Sequence, residues 1–295
     1  MANLKEIKLK IGSVKNTQKT TKAMKLVSSA KLTRTRQLSE QARSYATKIN
    51  EVLSDIAARV SKVQDEGNIG RAFIQNDNPK TVDIVFVTAD KGLCGGFNMS
   101  TIKTVSKLIA DYELKGTKVR LRAAGRKGVD FFSFQGKTLE QRVSDLSSAP
   151  DYERASSFIH SAVEDFKNEL TDKVIVVYNG FLNMLTQEIR IRELLPISLE
   201  KVEISENSSM LNIEPEDDDD EVLKELTDKY IDFNMYYALI DSLAAEHSAR
   251  MQAMEAATKN AKEKVDSLTV EYNKARQAAI TTELIEIISG VEALK

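Results

Sequence analysis

Apolar positions along this chain follow two different rhythms. From Leu4 onward, alternating steps of three and four residues pick out Leu4, Ile7, Ile11, Val14, Gln18, Thr21, Lys25 and Ser28, the seam of a heptad helix. Near the other end the same step selects Ile240, Ala244, His247, Met251, Met254, Thr258, Ala261, Val265, Leu268, Tyr272, Ala275 and Ala279. The small residues on this second seam imply close approach of a partner helix. Between the two ends the rhythm shortens. Residues 82–88 form a buried-strand run, 118–124 and 173–178 read as further strands, and 188–196 alternates like a fourth. Residues 99–114 and 151–170 read as helices, the second with Asp151 as its N-cap after Pro150.

Glycine and proline sharpen this division. Neither occurs from residue 13 to 66 or from 216 to 289, whereas ten of the twelve glycines lie between Gly67 and Gly180. The reading is three segments: a helix over 1–66, an α/β domain over 67–215 and a helix over 216–295. The breaker-free runs alone, 13–66 and 216–289, would span as helices roughly 80 and 110 Å, too long for a compact globule of this chain's size, about 50 Å across. The expected fold class is therefore α/β, a long antiparallel coiled coil of the N- and C-terminal helices plus a central Rossmann-like domain with a largely parallel sheet. An elongated molecule is expected.

Composition narrows the chemistry. Over 295 residues, 42 basic and 44 acidic side chains leave a net charge of −2, which argues against a dedicated nucleic-acid binder. A single cysteine, Cys94, excludes an internal disulfide and any multi-cysteine metal site, and two histidines, His160 and His247, exclude a His-rich one. No apolar run approaches the ~18 residues of a membrane span, and the N-terminal stretch lacks the apolar core of a signal peptide. The near-neutral total hides two poles. Residues 1–36 carry ten Lys/Arg against Glu6 alone, and residues 203–228 carry eleven Asp/Glu against Lys224 alone. The first run lies on a helix that already needs a partner, so it reads as a binding surface; the second, which includes 217–221, reads as a solvated or docking segment.

The loop after the first strand, Gly92-Leu93-Cys94-Gly95-Gly96, sits where a nucleotide-binding unit would place its glycines. It matches neither G-x-G-x-x-G nor the P-loop, and the nearby acid Asp111 falls inside the first helix instead of after the second strand. The loop therefore reads as a tight β–α turn using glycine for positive φ. Cys94 has no base near it in sequence, His247 falls on the helical seam, and no triad or paired-carboxylate pattern occurs. No active site, metal site or cofactor is expected. One local break remains: Met24, Leu26 and Val27 point in roughly opposite directions on a helix, and a helix apolar all round is normally enclosed. Other protein is expected around this segment.

Three blocks carry a family resemblance. MANLKEIKLKIGSVKNTQKTTKAMKLVSSAKL resembles the N-terminal helix of the gamma subunit of bacterial F-type (rotary) ATP synthases, DKGLCGGFN resembles that family's loop after its first central strand, and the C-terminal run from AAEHSARMQAMEAATKNAKEK to TTELIEIISG resembles its last helix. Many members have Asp-Arg where this chain has Asp90-Lys91. The resemblance implies a non-catalytic central rotor stalk that couples proton translocation to ATP synthesis or hydrolysis at the beta subunits. Its implied partners are a ring of three alpha and three beta subunits, the epsilon subunit and the ring of c subunits, with one copy per complex, no cofactor and no nucleic acid. The implied location is peripheral, on the cytoplasmic face of a bacterial inner membrane. Implied contact residues are Met24 and Lys25 in TKAMK, Arg276, Gln277, Thr281 and Glu283 in ARQAAITTEL, and Arg250 in EHSARM.

Overall fold

The computed structural model describes residues 4–60, 71–197 and 219–292. Of the acidic run, residues 217 and 218 lie outside them, and the side chains of 219–221 are likewise not described. Ten elements are described: α1 (Leu4–Val60), β1 (Thr81–Val87), α2 (Phe97–Leu114), β2 (Lys118–Ala124), α3 (Arg126–Phe134), β3 (Gln141–Val143), α4 (Tyr152–Lys167), β4 (Lys173–Phe181), β5 (Gln187–Leu195) and α5 (Asp219–Glu292). The two terminal helices have 57 and 74 residues. The chain divides into two compact units, one of Met1–Ser29 with Arg250–Lys295 and one of Ala30–Ala249, so that each long helix contributes to both.

In the first unit α1 and α5 pair through the seams read from the sequence. Every seam position of α1 from Leu4 to Ser28 is buried or half-buried, and on α5 the same holds from Met251 to Ala279. Thr21 meets Thr258 and Lys25 meets Glu255, so residue numbers rise on one helix as they fall on the other: the pair is antiparallel. Ile7, Met254, Ala261, Val265 and Leu268 supply its apolar filling.

The second unit is built on a five-stranded sheet of order β3-β2-β1-β4-β5. β1 lies parallel to both β2 and β4, β2 is parallel to β3, and β5 returns antiparallel on β4. Helices cross over between the parallel strands, as parallel pairing requires. Alternate residues of β1 face opposite layers. Val82, Ile84 and Phe86 pack with Ile102, Val105 and Ile109 of α2 and Phe132 of α3. Val85 and Val87 pack with Phe158, Ile159 and Val163 of α4, and the same cluster takes in Leu53 of α1 and Ile231, Met235 and Leu239 of α5. The expected cap forms: the Asp151 carboxylate accepts the Arg154 N–H at 3.1 Å, opening α4.

Two elements have no counterpart in the sequence reading, α3 and β3. β3 has three residues, too few to show a period. α3 has nine and follows Gly125, whose φ of +104° leaves a would-be Cβ 1.9 Å from the Thr88 carbonyl oxygen. There the glycine lets a helix start against a strand end, whereas in the sequence it reads only as a breaker.

Candidate partner-facing surfaces

Among the described residues of the first unit, the register of the pair leaves one helix without a partner at its end. With Thr21 opposite Thr258 and Lys25 opposite Glu255, the first described residue of α1, Leu4, is reached near residue 275. From Ile280 to Val291 every α5 residue is exposed. Ile280, Leu284, Ile287, Ile288 and Val291 recur at helical spacing and are each half or more exposed. At ~100° per residue this stripe lies roughly a third of a turn from the seam. It is therefore not an extension of the α1 contact but a second apolar face, uncovered within this unit. From residue types alone 276–290 reads as scattered polar groups with small apolar ones, and the structure corrects this to an aliphatic face.

The implied contact residues fall into three settings. Arg276, Gln277, Thr281 and Glu283 are all exposed and border or interrupt the apolar stripe, and the Thr281 hydroxyl donates back to the Gln277 carbonyl at 3.0 Å. Met24 is half-buried, whereas Leu26 and Val27 are 62% and 57% exposed, so the all-round apolar segment is in fact left uncovered on one side. Lys25 turns toward its own chain, its ammonium 2.7 Å from the Glu255 carboxylate. Arg250 is buried, at 9% exposure, and so differs from the other six. Lys5, Lys8, Lys15, Lys19 and Lys22 are exposed along α1, giving this stretch a positive surface.

The second unit accounts for the glycine loop. In doubly wound sheets, ligands enter the crevice at the carboxyl ends of the strands where successive connections diverge, here between β1 and β4. That crevice is filled by the protein itself. Ala245 and Ala249 of α5 pack there against Ala89, Cys94 and Phe97, with Phe181 beside them. The Asn179 side chain donates to the Phe97 carbonyl at 3.4 Å, and Asn98 donates to Cys94 Sγ at 3.2 Å and accepts the Ala89 N–H at 2.8 Å. The loop takes positive φ at Gly95 as expected, and also at Leu93. Cys94 is buried, His160 is exposed on α4 and His247 is buried on α5. Among the described residues no group of potential metal ligands gathers, and no helix is long and apolar enough to cross a membrane.

Three polar clusters hold this unit together. Asp90 ends the first: its carboxylate accepts the N–H groups of Arg126 and Asp145 and the hydroxyl of Ser147 at 3.0–3.2 Å. Burial pushes the Asp90 pKa up, but these hydrogen bonds outweigh it and the net shift is downward. The second lies within the sheet, where Arg122 bridges Asp83 and Asp165 and Arg120 joins them. The third centres on Asp241, which Ser39 and Arg190 contact. None of the three stood out in the sequence. A signal was present for the second, a carboxylate inside an apolar strand facing an Arg-Leu-Arg strand.

The paired helices and the mostly parallel, helix-flanked sheet have the fold of ATP synthase central stalks. A chain in the cryo-EM structure of the Tetrahymena thermophila mitochondrial ATP synthase central stalk and c-ring matches with a TM-score of 0.61 over 80% of this chain and 98% of that one, at 24% identity. One in the Euglena gracilis mitochondrial ATP synthase matches at 0.56 over 90% and 95%, at 19% identity. The family model described as ATP synthase matches residues 3–294. The ATP synthase gamma chain of Aliarcobacter butzleri (strain RM4018) is 88% identical over the whole of both chains, and that of Sulfurovum sp. (strain NBC37-1) is 58% identical, again over the whole of both. The chain belongs to the family of ATP synthase gamma chains, the central stalk of the F-type enzyme.

Proposed function

We propose that this chain is the rotor shaft of a proton-transporting F-type ATP synthase and performs no chemistry itself. On this reading the paired helices turn inside a ring of three alpha and three beta subunits, and the sheet-bearing unit meets the epsilon subunit and the c-ring. There is one copy per complex, held peripherally at the cytoplasmic face of a bacterial inner membrane. Proton flow turns the c-ring and this chain with it, and the asymmetric shaft drives the beta sites in sequence through different nucleotide affinities. The division into 1–66, 67–215 and 216–295 then separates ascending helix, foot and returning helix. Met24, Lys25, Arg276, Gln277, Thr281 and Glu283 are proposed to meet the ring, with Arg250 a lesser contributor because its own chain covers it.

The observation that carries this reading is the uncovered apolar stripe from Ile280 to Val291, on a face turned away from α1, its partner helix among the described residues of the unit. A surrounding sleeve of other subunits would cover it, and a smooth aliphatic face suits turning better than a locked interface would. The filled crevice between β1 and β4 supports a subunit that binds no nucleotide of its own. The test is a reversible disulfide from Asp111→Cys, at an exposed position of α2, to a stationary subunit of the assembled enzyme. ATP hydrolysis in the coupled enzyme should stop on oxidation and recover on reduction. Unchanged hydrolysis in fully cross-linked enzyme would overturn the assignment.

A further inference from the structure

A rotor subunit must do more than hold its shape, because torque has to pass between its sheet and its helices. Apolar packing resists separation, but it is non-directional and sums over area, so it offers little resistance to one smooth surface turning against another. A directional lock needs polar groups placed away from the helix axes. Several side chains of α5 reach the rest of the second unit by polar contacts. Lys167 meets Asp228, Ser156 donates to Asp232, and the Ser248 hydroxyl donates to the Met184 carbonyl. The first two join α5 to α4, and the third joins it to the β4–β5 hairpin.

Asp241 differs. Its carboxylate is 2% exposed and is contacted from three other elements. The Ser39 hydroxyl of α1 donates to Oδ1 at 3.2 Å, the Phe181 N–H of β4 to the same oxygen at 3.4 Å, and Arg190 Nη1 of β5 to Oδ2 at 2.7 Å. Arg190 also donates to the Tyr237 hydroxyl of α5 at 3.3 Å. The backbone makes room for this convergence. A Cβ at Gly180 would lie 2.6 Å from Arg190 Nε and 2.7 Å from Asp241 Oδ2, so the strand passes directly beneath the ion pair. Burial raises the Asp241 pKa, against the pull of Arg190, which marks a carboxylate taken out of water at a cost.

We infer that Asp241, with Arg190 and Ser39, is a positioning residue for rotary coupling, the joint that fixes both long helices to the β4–β5 hairpin so that torque passes between them. The inference rests on the rotor reading above. Ion-pair and hydrogen-bond geometry would hold the helices at one angle to the sheet, and loosening it would let catalysis at the ring run with incomplete delivery of rotation to the foot.

The test compares ATP hydrolysis with ATP-driven proton pumping in membrane vesicles carrying the assembled enzyme with Ser39→Ala, Arg190→Lys or Asp241→Asn. Lys173→Gln serves as control, since the Lys173–Glu193 pair at 2.8 Å lies within the hairpin and reaches neither helix. Pumping per ATP hydrolysed should fall in the order Ser39→Ala, Arg190→Lys, Asp241→Asn, reaching a deficit of about threefold or more, with hydrolysis per assembled complex within about twofold of the parent. Lys173→Gln should lower the melting temperature without moving the ratio. A merely structural role would lower pumping and hydrolysis together, and equal ratios in parent and variants overturn the joint. Should Asp241→Asn fail to assemble, the ratio in Ser39→Ala and Arg190→Lys decides. Parent vesicles that pump no protons on ATP would overturn the rotor reading, and the joint with it.

Discussion

Asp83 and Arg122 lie on neighbouring parallel strands and close a 2.7 Å ion pair in which the carboxylate side chain is 0% and the guanidinium side chain 4% exposed. Burial raises the Asp83 pKa, and the pull of Arg122 and Arg120 offsets only part of that rise. Removing one partner of such a pair leaves an uncompensated buried charge. Asp83→Ala should therefore cost about 3–5 kcal/mol, read as a fall in the denaturant midpoint of the purified chain. A loss under about 1 kcal/mol would mean that water reaches Arg122 once the carboxylate is gone.

Thr21 and Thr258 meet at 2.8 Å within the helical seam, and each hydroxyl also lies within donating distance of a carbonyl of its own helix, Gln18 and Met254. Two hydroxyl protons cannot serve all three bonds at once, so the contact is individually weak. Thr258→Val alone should cost about 0.5–1 kcal/mol, and Thr21→Val with Thr258→Val should be neutral or stabilising, because the two methyls then pack. Thermal unfolding of the three variants checks the order; a double variant less stable than either single one would show that the hydroxyl pair specifies the register.

Asp90 has a lowered pKa in the folded chain, so its contribution to stability is present above the unfolded value near ~3.9 and is lost as pH falls through the folded value. Asp90→Asn should be destabilising at neutral pH, and its deficit against the parent should shrink on acidification below about pH 4. Melting temperatures of both proteins across that range give the comparison. A deficit independent of pH would assign the effect to loop geometry alone.

Along α5, Arg276 and Gln277 are exposed beside a broad aliphatic stripe, so on the proposed reading each would be one contact among many. Replacing either with Ala should leave the complex assembled, as judged by co-purification. With under about 1 kcal/mol at stake, turnover should change by about fivefold or less. Failure of Arg276→Ala to co-purify with the alpha and beta subunits would identify a dense anchor where a sliding contact is expected.

Periodicity made much of this structure legible. The seam of α1 from Leu4 to Ser28 is legible residue by residue, because a heptad repeats often enough to reveal itself, and the bounds of β2 read from the sequence match those of the structure. β3 escaped because three residues carry no period, and α3 because Gly128 within it reads as a breaker when its absent side chain in fact makes room for Phe86. The polar joints were hidden for another reason. Ser39, Arg190 and Asp241 are scattered over some 200 residues, and only the register of β4 with β5 and the packing of both helices bring them together. The tip of α5 reads from the sequence as scattered polar and small apolar groups, not as an aliphatic face, since that requires knowing the register in which α1 pairs with it.

Ala245 and Ala249 fill the crevice between β1 and β4 from within the same chain. A soluble ligand loses translational and rotational freedom at every encounter with such a site. A helix joined to the sheet through its own backbone loses that freedom once, as the domain folds. Its occupancy consequently follows the folding equilibrium and not the concentration of any solute. Where other sheets of this kind keep an exchangeable guest, this crevice holds a permanent tenant, a helix of its own chain.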